Sequence, residues 1–210
     1  MPFKCSCFIS YPHNAGKSVE KFVTRLKVEL QDRFAQFVTD PIVTDHDNFT
    51  GVDFHKAIAE KICQSACLLV VYMPVYQRKT FCLREYTAME RIQKTRFEEL
   101  KNDLSGRFGM ILPLVYTGDE AKIPKWVSGK INYKNISEFT ISGPEGVFDQ
   151  PDFKQWLVTI ANMVDSLYNT FQEAGASPCK SCGQYALPDE NDPDVAQKLN
   201  VPTKPPEPFR

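Results

Sequence analysis

The chain has 210 residues, 42% hydrophobic and 24% charged, which suits one globular domain with a sizeable core. Lys and Arg total 25 against 26 Asp and Glu, a net charge of -1, which excludes a global basic field for nucleic acid or an anionic membrane surface. The opening MPFKCSCFISYPHN is too short in its apolar part for a signal peptide and no apolar run reaches transmembrane length, so a cytoplasmic protein with no membrane or nucleic-acid partner is expected.

Phe3 to Tyr11 alternates, with Phe3, Cys5, Cys7 and Ile9 on one side, and stops at Pro12, a pattern that predicts a first strand. Val19, Phe22, Val23, Leu26, Leu30 and Phe34 then recur at helical spacing, with Ser18 available as the cap. Gly16-Lys17-Ser18 is the end of a phosphate-binding loop motif, but Tyr11 stands where that motif needs its first glycine, so the backbone cradle is missing. Pro41 to Asp45 predicts a short second strand. A polar loop, Asp45 to Asp53 with Gly51, leads into a helix marked by Phe54, Ile58 and Ile62.

The run Leu68, Leu69, Val70, Val71, Tyr72 and Met73 is too short for a helix and β-branched at its centre, as in a strand buried on both faces. Pro74 ends it. A helix beginning near Thr80 then brings Cys82, Glu85 and Met89 close to one face, so a carboxylate follows a central strand. Gly109 to Tyr116 predicts another buried strand, in which Pro113 is awkward because it has no N–H for the ladder. Asn132 to Thr140 predicts a weak last strand. The stripe from Phe153 through Trp156, Leu157, Ile160, Met163, Val164, Leu167 and Tyr168 to Phe171 predicts the closing helix. This alternation implies an α/β fold with a five-stranded parallel sheet and helices on both faces.

Residues 1–174 form the expected domain. From 175 to 210 the chain turns acidic and proline-rich, and a flexible tail is expected there. Seven cysteines, an odd set scattered over the chain, point to reduced, mostly buried thiols. Cys179-x-x-Cys182 is half of a zinc knuckle with no second pair following it, which leaves two readings, a zinc shared between chains or two exposed thiols in a flexible tail. His13, His46 and His55 follow no ligand spacing, so no metal is expected at the site.

Three blocks together resemble the TIR domain family, named for Toll and interleukin-1 receptors and plant resistance proteins. They are CFISYPHN, the run DHDNFTGVDFHKAIAEKICQSACLLVVYMPVY, and TFCLREY, which is similar to the family's Trp-Cys-x-x-Glu block with Phe81 in the tryptophan's place. Their order and spacing agree over about the first 170 residues, and the resemblance implies the flavodoxin-like TIR fold.

The resemblance also implies an activity. Some TIR domains cleave the nicotinamide-ribose bond of NAD, and their marker glutamate falls at Glu85. Substrate-binding positions implied or suggested around it are Tyr11, as a ring to stack on nicotinamide or adenine, His13 and Lys17 near a pyrophosphate, Asp45 and Asn48 in the acidic loop, and Phe81 and Cys82. His46 and Asp47 share that loop, which in related TIR domains bridges to a neighbouring copy. No cofactor is expected, since NAD is the substrate.

The implied partners are NAD, further copies of the chain through TIR-TIR contacts, and a separate effector that senses the nucleotide product, as in bacterial anti-phage immunity. Two other readings are a non-catalytic adaptor or host-signalling mimic acting by homotypic contacts, and a nucleoside-processing enzyme of the deoxyribosyltransferase type. Glu85 would be an ordinary solvated helix charge, paired with Arg84 or Lys79, if it had no chemical role.

Overall fold

The computed structural model describes residues 2–45, 53–100, 109–140 and 143–199, apart from the side chains of 144 and 145. Strands and helices alternate: β1 (Cys5–Ser10), α1 (Lys17–Phe34), β2 (Ile42–Thr44), α2 (Phe54–Gln64), β3 (Ser65–Tyr72), α3 (Thr80–Glu99) and β4 (Ile111–Val115). Short pieces α4 (Lys125–Ser128), β5 (Lys134–Asn135) and α5 (Ser137–Thr140) precede the long α6 (Pro151–Glu173), and α7 (Pro193–Ala196) lies near the end of the described chain. The sheet is parallel throughout, in the order β2-β1-β3-β4-β5, which is the flavodoxin-like order.

Every residue of β1 and all eight of β3 are buried, as strands covered on both faces must be. The crossovers from β1 to β2 and from β2 to β3 run in opposite directions across the sheet, so right-handed connections put α1 and α2 on opposite faces. The apolar stripe of α6 packs beside α1, and α2 packs beside α3. Among the described residues no helix is long and apolar enough to cross a membrane.

Several local expectations change in the folded chain. α1 starts one residue before Ser18, and its N-cap is Gly16 at φ 106°, a backbone region that costs glycine nothing. Ser18 instead lies 3.2 Å from the Tyr116 hydroxyl. The last strand keeps only Lys134–Asn135 of the stretch 132–140, because Ser137–Thr140 closes into a helical turn, with Asn135 accepting from the Ser137 N–H.

Pro113 proves harmless through the geometry of its strand. Leu68 N–H bonds Met110 O and Tyr116 N–H bonds Tyr72 O, so the even-numbered residues of β4 face β3, while Val115 O accepts from Ile136 N–H on the other side. Pro113 shares Val115's parity and faces the β5 side. There β5 begins only at the partner of Leu114, so no ladder bond is lost.

The expectation of a flexible tail does not hold for residues 176–199. Cys182 and Val195 are buried, and Cys182 forms a disulfide with Cys63 on α2 across a sequence separation of 119. Arg84 Nε donates to Pro188 O at 2.6 Å, and the Tyr185 hydroxyl donates to Ala88 O at 3.1 Å. Arg91 pairs with Asp192 at 2.7 Å and Asp194 at 2.6 Å, while Lys198 pairs with Glu90 at 2.9 Å. The acidic residues that suggested disorder answer basic residues of α3, and the segment becomes a strap over α2 and α3.

The cysteines divide accordingly. Cys5, Cys7, Cys67 and Cys82 are buried free thiols as expected, but Cys63 and Cys182 are joined. The zinc half-site is thereby dismantled: Cys182 is committed to the disulfide, and Cys179 points its thiol at Gln64 O, 3.7 Å away.

Candidate active site

β1 and β3 are neighbours at the centre of the sheet, and the chain leaves them towards opposite edges. The crevice beyond the carboxyl ends of such a pair is where open parallel sheets bind ligands. Ser10 ends β1, Asp45 follows β2 directly, and Glu85 lies in the second turn of α3. The packing of α3 on β1 and β3 turns Glu85 inward to that edge, where it is fully buried.

Glu85 Oε2 lies 2.5 Å from Ser10 Oγ. Ser10 Oγ is in turn 2.8 Å from the Tyr76 hydroxyl, which donates to Cys82 O at 3.0 Å. The other carboxyl oxygen, Oε1, is buried with no hydrogen-bond partner among the described residues. Arg84 turns away to Pro188 O and Glu190, and among the described residues no cation pairs with Glu85. A buried carboxyl group held on one oxygen only is costly to a fold.

Asp45 adds to that cost. It is buried, its Oδ2 bonds His13 Nε2, and its Oδ1 likewise has no hydrogen-bond partner among the described residues. Burial first, and the negative charge of Asp45 second, push the Glu85 carboxyl well above the usual carboxylate range, against the opposing pull of the Ser10 hydrogen bond. His13 is raised by its bond to Asp45, which outweighs partial burial.

Both shifts make stability fall as pH rises. Above the ordinary carboxyl value the unfolded chain loses the Glu85 proton while the folded chain keeps it, so folding is progressively disfavoured until the higher folded value is passed. His13 contributes in the same sense, its share being lost as pH rises through its raised value. Glu85→Gln removes the first of these windows. The variant should gain steadily on the native protein as pH rises above the ordinary carboxylate range. Thermal melts through and above that range check it, and a difference independent of pH would contradict the charge argument.

The expected site residues separate into two groups. Tyr11, His13, Asp45, Cys82 and Glu85 come together: the Tyr11 and His13 rings stack at 5.7 Å, and the Cys82 thiol donates to Tyr11 O at 3.7 Å. Phe81 packs instead against the start of α2, its ring 5.7 Å from Phe54 and 5.5 Å from His55, with the Arg84 guanidinium 5.9 Å from its centre. Lys17 is exposed and lines a groove of about 680 Å³ on α1 with Phe22, Arg25, Val28 and Phe148, away from the residues around Glu85. Asn48, with His46 and Asp47, lies outside the described residues.

Ser10 and Tyr76 are absent from the sequence-derived set. Ser10 could have been found, being a hydroxyl inside an otherwise apolar strand block. Tyr76 gives no such signal, because it meets Ser10 only through a separation of 66 residues. Burial raises both the Tyr76 hydroxyl and the Cys82 thiol well above their ordinary values, which leaves Cys82 a poor nucleophile.

No protein-family model matches the chain. No curated protein matches it either. Among solved structures it is similar to a chain from the structure of the activated Roq1 resistosome directly recognizing the pathogen effector XopQ, in its TIR domains. The two share 18% identity over 76% of this chain and 84% of that chain, with a TM-score of 0.43.

Proposed function

We propose that this chain is a TIR-type enzyme that cleaves the nicotinamide-ribose bond of NAD, with Glu85 as the catalytic carboxylate. One observation carries the reading: a buried carboxyl group at the carboxyl edge of the β1/β3 switch point has, among the described residues, an oxygen without a partner and no paired cation. A carboxylate kept for structure is normally satisfied on both oxygens. One kept for chemistry holds an oxygen in reserve at a cost in stability.

The chemistry matches a single carboxylate. Nicotinamide leaves as a neutral ring from a cationic pyridinium, so no second group is needed to protonate it. Positive charge gathers on the ribose, where Glu85 Oε1 stabilises it and accepts from a ribose hydroxyl, fixing the sugar's orientation. Tyr11 supplies a ring at the edge of the site, and the His13–Asp45 pair borders it. Attack by water gives ADP-ribose, and attack by an adenine nitrogen gives a cyclic product. NAD is the substrate, and the mechanism calls for no further cofactor.

Glu85 meets no solvent in the single chain. That fits a site opened by self-association, in a bacterial immune protein whose nucleotide product is read by a separate effector. The same burial favours a second reading, a non-catalytic adaptor working through homotypic contacts.

Concentrated protein incubated with NAD, its products resolved by chromatography, separates the two. The native chain should release nicotinamide, and Glu85→Gln should release it roughly 100- to 1,000-fold more slowly. Equal release by both would remove Glu85 from the mechanism. Release by neither, at high concentration and under crowding, would favour the adaptor.

A further inference from the structure

Three oxygen-to-oxygen contacts run in series through the site: Glu85 Oε2 to Ser10 Oγ at 2.5 Å, Ser10 Oγ to Tyr76 Oη at 2.8 Å, and Tyr76 Oη to Cys82 O at 3.0 Å. Each is of hydrogen-bond length and needs a proton between its oxygens. Ser10 brings one proton and Tyr76 brings one, while the Cys82 carbonyl brings none.

With Glu85 ionised, Ser10 donates to the carboxylate and Tyr76 to the carbonyl. The Ser10–Tyr76 contact is then left with two facing lone pairs. A third proton, on Glu85 Oε2, completes the series in one direction, from Glu85 to Ser10 to Tyr76 to the carbonyl. We propose that Tyr76, whose hydroxyl is committed to Cys82 O and faces Ser10, is a positioning residue that holds Glu85 as a neutral carboxylic acid until a cationic pyridinium dinucleotide enters the site, while Ser10 is a positioning residue that orients the carboxyl group and donates to it once it is ionised.

The groups around the carboxyl point the same way. Asp45, beyond β2, presents a negative charge whose Oδ2 is bound to His13 from the loop after β1. Tyr76 from the turn at 74–78 and Cys82 from α3 itself are neutral at ordinary pH, both being raised by burial. Lys79, just before α3, acts on Cys82 and His13. A second anion beside buried Asp45 is therefore disfavoured until a positive charge arrives.

A pyridinium ring supplies that charge. Glu85 then gives its proton to water, the Ser10 hydroxyl rotates to donate to the new carboxylate, and Tyr76 continues to donate to Cys82 O. One proton is released for each oxidised dinucleotide bound. A reduced dinucleotide, whose nicotinamide ring is neutral, releases none. This last step rests on the reading of Glu85 as the NAD-cleaving carboxylate, whereas the proton count does not.

Infrared spectroscopy of the full chain without nucleotide at neutral pH tests the assignment. The spectrum should contain the carbonyl stretch of a protonated carboxyl group that disappears in Glu85→Gln and shifts in Ser10→Ala and Tyr76→Phe. The two hydroxyl variants should move the ionisation of Glu85 in opposite directions. Tyr76→Phe removes the facing lone pair and lowers the pH at which the band is lost. Ser10→Ala removes the hydrogen bond to the carboxylate and raises it.

A merely structural role for either residue would move neither midpoint. Absence of the band from the native protein at neutral pH, or shifts of the same sign in the two variants, overturns the proposal whether or not NAD is cleaved. A band that behaves as expected in a protein that releases no nicotinamide sinks the NAD reading and leaves the proton assignment standing.

Discussion

Cys182→Ser should cost the protein about 4–5 kcal/mol of stability, the largest effect expected of any single substitution considered. The disulfide joins residues 119 apart, and the unfolded chain freed of so long a closed loop gains conformational entropy of roughly that size. The strap remains attached through Arg84, Arg91, Tyr185 and Lys198, but most of these contacts are exposed or partly exposed and hold weakly. Denaturant unfolding with and without a reductant measures the effect. Reductant should destabilise the native chain to the level of Cys182→Ser and leave the variant unchanged. A native midpoint unmoved by full reduction would show that packing alone holds the strap.

The second large effect is expected at Arg96, near the end of α3. Its guanidinium is buried, donates to Ser65 O at 2.8 Å and to Cys63 O, and lies 5.0 Å from the centre of the Phe3 ring. Burial pushes it down to about 10, so it still carries its charge at neutral pH. Arg96→Met keeps most of the volume but leaves two buried carbonyls at the α2–β3 junction without their charged donor, at a cost of about 3–5 kcal/mol.

Cys63 is thus gripped twice, its carbonyl by Arg96 and its sulfur by Cys182. The two substitutions share that residue and should not add. In a double-mutant cycle the combined loss should fall short of the sum by at least about 0.5 kcal/mol. Strict additivity would mean that the two anchors act on separate parts of the fold.

The order of elements was legible because strands buried on both faces read as unbroken apolar runs and α6 as a regular stripe. Glu85 was legible from the motif around it, and from its place after the central strand. What could not be read was everything that joins distant residues. The Ser10–Tyr76–Cys82 series spans three elements, and the strap is recognisable only when Asp192 and Asp194 are seen against Arg91, and Cys182 against Cys63. Composition describes how a segment behaves alone. It says nothing of the basic residues waiting on α3.

The brevity of the outermost strands limits how copies of this chain can meet. β2 has three residues and β5 has two, and on the open side of β4 Pro113 has no N–H to offer. An incoming strand from another molecule would find too little free backbone on either flank to zip onto, which protects the sheet from edge-to-edge aggregation. Any ordered assembly of the protein is therefore built through its helices and loops, the same elements that enclose Glu85.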